Sequence, residues 1–179
     1  MTDLRYPVGK FSPEPELNDV SRQNLIRQIT EAPAKLREAI KGLTEEQLDT
    51  PYRPGGWTVR QVVHHIPDSH MNAYIRFKLG MTEQEPQVKP YKEKLWAELV
   101  DAKSSPIEPS LTLLESLHQR WTVFLRSMAT ADFARTVNHP ENGMMTLDRV
   151  LQLYAWHGRH HVAHITSLRE RMNWQKSDS

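Results

Sequence analysis

Apolar residues recur at spacings of three and four along most of the chain, and strand-like alternation of Val, Ile and Thr is hard to find. That period predicts helices. A first helix reads from about Glu16 to Lys41, with Leu25, Ile26, Ile29, Leu36 and Ile40 on its buried side, bent or restarted at Pro33 and stopped at Gly42. Thr44 with Gln47 has the spacing of a capping box and predicts a short helix. A second capping box, Thr58 with Gln61, opens a long helix through Val62, Val63, Ile66, Ile75, Phe77 and Leu79 to Gly80, which Pro67 should bend near His64. Pro86 and Pro90 mark a linker to a shorter helix, Tyr91 to Lys103. Ser110 is placed to cap a third long helix, Leu111 to Met128, with Leu114, Leu117, Trp121, Phe124 and Leu125 inward. Phe133 to Met145 is turn-rich with room for a short extended stretch, and Thr146 can cap a last helix from Leu147 to about Met172.

Four long amphipathic helices with long connections predict an all-α chain folded as a four-helix bundle. Its 179 residues suit a single domain, with residues 1–15, carrying Pro7, Pro13 and Pro15, as an extended arm and residues 175–179 as a frayed tail.

Charge changes the picture little: 23 Lys plus Arg against 22 Asp plus Glu give a net charge of +1, so nothing points to nucleic acid. The absence of cysteine removes disulfides, thiolate ligands and an internal thiol nucleophile. No apolar run resembles a secretory signal or a membrane span, so a cytoplasmic protein without membrane contact is expected.

The chemistry concentrates in the last helix. His157, His160, His161 and His164 fall at offsets of 0, 3, 4 and 7, on one helical stripe. Imidazole is a common ligand of divalent transition metals, and either pair spaced by four, His157/His161 or His160/His164, can grip one ion. Spacing leaves both pairs open. The second long helix offers a further donor, because His65 shares a polar stripe with Ser69, Asn72 and Arg76, whereas His64 points about 100° away.

The stretch Trp57-Thr-Val-Arg-Gln-Val-Val-His-His-Ile-Pro-Asp-Ser-His-Met-Asn, together with Tyr154-Ala-Trp-His-Gly-Arg-His-His-Val-Ala-His, the loop Arg53-Pro-Gly-Gly-Trp and Asn138-His-Pro-Glu, resembles the DinB/YfiT-like superfamily, most of all its YfiT branch. The likeness covers nearly the whole chain. It implies a DinB-like bundle, one divalent metal per subunit, zinc or nickel, and an enzyme of the metal-dependent hydrolase or bacillithiol S-transferase kind. It also implies a homodimer with a small-molecule substrate and bacillithiol as cosubstrate. Carried over residue by residue, the implied ligands are His65, His160 and His164, with His161, Asn72, Arg76 and Ser69 as supporting groups. Pro67 stands where related sequences commonly have a small helix-friendly residue.

On the same reading, His157 and His161 pack beside the site or orient its ligands. His70, His118 and His139 are expected to be ordinary surface or loop residues, Asp68 and Glu141 solvated carboxylates, and Trp57, Trp121 and Trp156 core. The rival to an enzyme is a non-catalytic binding module in which the metal is only a structural staple.

Overall fold

A computed structural model describes residues 3–174; the tail expected to fray, 175–179, lies outside the described residues. Four long helices form the bundle: α1 (Asp19–Ile40), α3 (Val59–Thr82), α6 (Glu108–Ser127) and α7 (Leu147–Arg171). Between them run α2 (Glu45–Leu48), α4 (Glu93–Trp96) and α5 (Val100–Ser104), then a 3-10 turn (Thr130–Ala134) and a hairpin of β1 (Thr136–His139) and β2 (Gly143–Thr146). Helix α1 packs on α6 and α7, and α3 packs on the same two, so the helices circle the core in the order α1, α6, α3, α7. The expected four-helix bundle is therefore present, with one small two-stranded sheet. None of the described helices is long and apolar enough to cross a membrane.

Both predicted capping boxes form: the Thr44 and Thr58 hydroxyls accept from the Gln47 and Gln61 amides at 3.3 and 3.1 Å. Thr146 likewise caps α7, accepting from the Arg149 amide at 3.1 Å. Other boundaries differ. Helix α1 starts at Asp19 rather than Glu16, because the Asn18 side chain accepts from the Ser21 amide at 2.8 Å. Helix α6 starts a turn before Leu111, with Pro109 in its first turn, so Ser110 is inside the helix and bonds His64 Nδ1 at 2.7 Å instead of capping. The single helix expected over Tyr91 to Lys103 is two short ones, and Leu95, Trp96, Leu99 and Val100 stay exposed, so no apolar stripe holds a longer helix together. Ile75, expected inside, is half exposed. Helices α1 and α3 run unbroken through Pro33 and Pro67.

The core comes in two apolar clusters. One holds Ile26, Ile29, Phe77, Trp121, Leu125, Leu151 and Tyr154, the other Leu36, Val62, Val63, Ile66, Leu114, Ile165 and Leu168. On α3, α6 and α7 the residues between the clusters include His70, His118 and the four-histidine run. A layer of imidazoles thus crosses the bundle at mid-height.

Candidate metal centre

Each histidine of the layer is fixed by its position on a core stripe. His70 lies in the series Val63, Ile66, His70, Ala73, Phe77, and His118 in Leu111, Leu114, His118, Trp121, Leu125. Neither is a surface residue: His70 is 0 % and His118 2 % exposed, and His139 is buried at the end of β1. The expectation that these three were ordinary surface or loop residues is corrected on that ground.

His118 Nδ1 lies 2.6 Å from the Ile29 carbonyl, which can only accept, so this nitrogen carries the proton. Pro33, four residues on, has no N–H to give that carbonyl, which leaves it free for the imidazole. In neutral His118 the Nε2 is then the acceptor, and His70 Nδ1, at 2.8 Å, donates to it. The same logic makes His70 Nε2 accept from His157 Nδ1 at 3.1 Å. The chain ends at His157 Nε2, left with a bare lone pair. Burial keeps every member neutral: it pulls His118 down to about 4 and lowers His70 and His157 well below the usual imidazole value.

His157 Nε2 faces His65 Nε2 at 3.2 Å and the Ser69 hydroxyl at 3.4 Å. Ligand nitrogens of His65, His157 and His161 lie within 4.8 Å of one another, and those of His160, His161 and His164 form a second such group. These are the groups among the described residues. The set implied by the resemblance, His65 with His160 and His164, is not one of them: the structure brings His65 to His157 and His161. The stripe of four is wide enough that α7's rotation decides which pair meets α3, and that rotation is set by the packing of Val150, Tyr154, Ile165 and Leu168. His161, expected in support, belongs to both groups.

The two groups differ in surroundings. His164 stacks on Tyr52 with ring centres 3.9 Å apart, and its Nε2 bonds the Arg5 carbonyl at 3.2 Å. The N-terminal arm thus lies over this end of the stripe, held also by the Trp156 indole on the Gly9 carbonyl at 3.1 Å and by paired bonds between Gln152 and the Glu14 backbone. His65, His157 and His161 instead line a cavity of about 340 Å³ that also reaches Ser69, Arg76 and His160. Trp57 and Trp156, expected in the core, are its walls: Trp57 sits 4.7 Å from the His65 ring and Trp156 stacks on His160 at 4.3 Å. Glu93 and Glu141, the carboxylates on this cavity, are exposed. Asn72 turns away and donates to the Asp68 carbonyl at 2.8 Å. Asp68 is half-buried rather than solvated, and desolvation raises it to about 6.

The residues fit a divalent metal. Burial holds His65 down at about 3, and His161 well below its usual value, so their lone pairs are free of protons at neutral pH. The Nδ1 atoms of His160, His161 and His164 are each buried without a hydrogen-bond partner. Two ligand nitrogens on a tetrahedral ion, each at about 2.1 Å, stand roughly 3.4 Å apart, close to the separation of His65 and His157.

A helical bundle with desolvated imidazoles gathered from facing helices at one cavity is the architecture of a histidine-centred bundle protein. The chain belongs to the DinB superfamily, whose family model matches residues 28–165. It is 58% identical, over 97% of this chain and 100% of the relative, to a Bacillus mycoides (strain KBAB4) protein named "Putative metal-dependent hydrolase", and 56% identical over the same shares to one so named from Bacillus cereus (strain 03BB102). The solved structure of YfiT from Bacillus subtilis, described as "a probable metal-dependent hydrolase with an unusual four-helix bundle topology", superposes with a TM-score of 0.95 at 49% identity, covering 97% of this chain and 100% of that one.

Proposed function

We propose that the chain is a metal-dependent enzyme in which His65, His157 and His161 hold one divalent ion, zinc or nickel, at the floor of the cavity. The convergence of three neutral imidazoles from two helices on one opening carries this reading. Three protein ligands leave a position free, the arrangement of catalytic rather than structural sites. An ion held there would lower the pKa of a water or a small thiol bound to it. Ser69 and the His118–His70 chain orient His157, and Trp57 and Trp156 shield the floor from bulk water.

Water as nucleophile gives a hydrolase, in line with the names of the relatives. A low-molecular-weight thiol, bacillithiol in the reading from resemblance, gives S-transfer to an electrophile. The carboxylates on the cavity, Glu93 and Glu141, are exposed, so with either nucleophile the ionisation would rest on the ion and not on a buried acid.

The test has two parts. Metal-free protein titrated with zinc should take up one equivalent per chain, an uptake lost in His65→Ala, His157→Ala and His161→Ala and kept in His164→Ala. Loss in His164→Ala with retention in His157→Ala would return the ligand set to His65, His160 and His164. The zinc protein is then given an ester panel, and separately bacillithiol with a haloaromatic electrophile. Thiol consumption no faster than in His161→Ala excludes S-transfer, and ester cleavage lost with the metal supports the hydrolase.

A further inference from the structure

Four arginines are buried, Arg22, Arg60, Arg76 and Arg169; Arg169 donates to the Ala39 and Lys41 carbonyls, both at 2.8 Å, among its contacts, and the other three can be compared for the charge that balances them. Arg22 is held by Asp148 at 2.8 Å and Asp19 at 2.7 Å, and Arg60 by Asp49 and Glu45, both at 2.6 Å. Arg76, on α3, is only 9 % exposed and makes no ion pair among the described residues. Its Nη1 donates to the Tyr154 hydroxyl at 3.1 Å and its Nη2 to the Lys89 carbonyl at 3.3 Å, while Nε is buried with no acceptor at all. A guanidinium stays charged in any protein, and burying it without a counter-charge is costly. The missing charge can be approached from the cavity that Arg76 lines together with His65, Ser69 and His157.

We propose that Arg76 is an anion subsite of this cavity and that the substrate or cosubstrate bound there carries a carboxylate. The inference rests on the metal-centre reading for what lies at the other end. A planar guanidinium matches two carboxylate oxygens side by side, and Arg76, with Nε unpaired and only two acceptors of its own, has N–H groups left over for an anion that reaches it. Glu93 and Glu141, exposed at the rim, disfavour a multiply charged anion such as a polyphosphate, which narrows the ligand to a single carboxylate near Arg76. Arg76 follows His65 by eleven residues, three helical turns and roughly 16 Å of rise, shortened by the reach of an arginine back toward the helix N-terminus. The ligand is therefore elongated, with its reacting group at the histidines and its carboxylate at Arg76.

Cobalt-loaded protein supplies the test, since thiol binding to the ion changes its absorption spectrum. A series of ω-mercaptoalkanoic acids and the matching ω-mercaptoalkanols is titrated into wild type, Arg76→Gln and Arg76→Lys. In wild type one chain length of the acid should bind at least tenfold tighter than its alcohol. That advantage should vanish in Arg76→Gln and shrink in Arg76→Lys, with the alcohols' Kd unchanged. Metal-free protein gives an independent reading: hexanoate, and not hexanol, should raise the melting temperature of wild type and not of Arg76→Gln. No cobalt spectrum, with the hexanoate shift intact, defeats the metal centre and keeps the subsite. Equal binding of acids and alcohols, or no hexanoate shift, overturns the subsite. Should Arg76→Gln fail to fold, Arg76→Lys against wild type decides by the same comparison.

Discussion

Replacing His118 by leucine tests whether the three-histidine chain is directional and whether it serves the metal centre. Leucine is close to histidine in size, so the change removes hydrogen bonding more than volume. It strands two groups in the core. The Ile29 carbonyl loses its donor at 2.6 Å and cannot recover a helical one, because Pro33 has no N–H. His70 Nδ1 loses its acceptor at 2.8 Å in a residue with no exposed surface. Each orphaned buried group costs about 1–3 kcal/mol, so roughly 2–6 kcal/mol is lost, and the apolar side chain offsets a part. We expect a net destabilisation of about 2–4 kcal/mol, read by urea unfolding of the metal-free protein. With His157 no longer held in one tautomer, zinc affinity should fall about 10- to 100-fold, measured by competition with a chromophoric chelator. His118→Gln, whose amide both donates and accepts, should recover part of each loss. A His118→Leu protein within about 0.5 kcal/mol of wild type, binding zinc equally well, would refute the chain as described.

The acid response of the metal-free protein follows from the same residue. His118 sits at about 4 when folded and near its ordinary value when unfolded, so the unfolded chain binds a proton that the folded one refuses. The stability is complete above about pH 6.5 and lost as pH falls toward 4, at about 1.4 kcal/mol per unit. Between pH 7 and 5 His118 should contribute a loss of about 2 kcal/mol in urea unfolding, absent from His118→Leu; parallel pH profiles for the two proteins would contradict it. Gly80→Ala should destabilise by about 1–3 kcal/mol despite better helix propensity, since the added Cβ meets Leu147 Cδ2 at 2.9 Å and Val137 Cγ1 at 3.1 Å; an unchanged melting temperature counts against that packing. Trp156→Ala removes the indole from the Gly9 carbonyl and from the face of His160, and limited proteolysis should then cut the arm around Gly9 faster than in wild type.

Helix α7 shows both how far the sequence reads and where it stops. Its cap at Thr146, its apolar stripe and its four aligned imidazoles are local facts, set by a period of 3.6 residues, and they foretold a bundle with a face of imidazoles able to hold a metal. His70 and His118 read as surface residues in the sequence although each falls on a run of apolar positions spaced by three and four, because a single polar residue in such a run does not announce that it is buried. Pro33 hints at the freed Ile29 carbonyl, but only its neighbour across the bundle gives that carbonyl a use.

The sequence by itself determined the four long helices, the caps at Thr44, Thr58 and Thr146 and the histidine-rich face, since these depend on residues within a turn or two of each other. The tertiary structure decided which pair of imidazoles meets His65, which nitrogen of each buried histidine bears its proton, and that Arg76 lies buried without an acid. Those outcomes turn on the rotation of α7 against α3 and on contacts between residues some ninety positions apart, such as His65 with His157. A side-chain stripe spans a wide arc, and only packing against a second helix selects the direction within it.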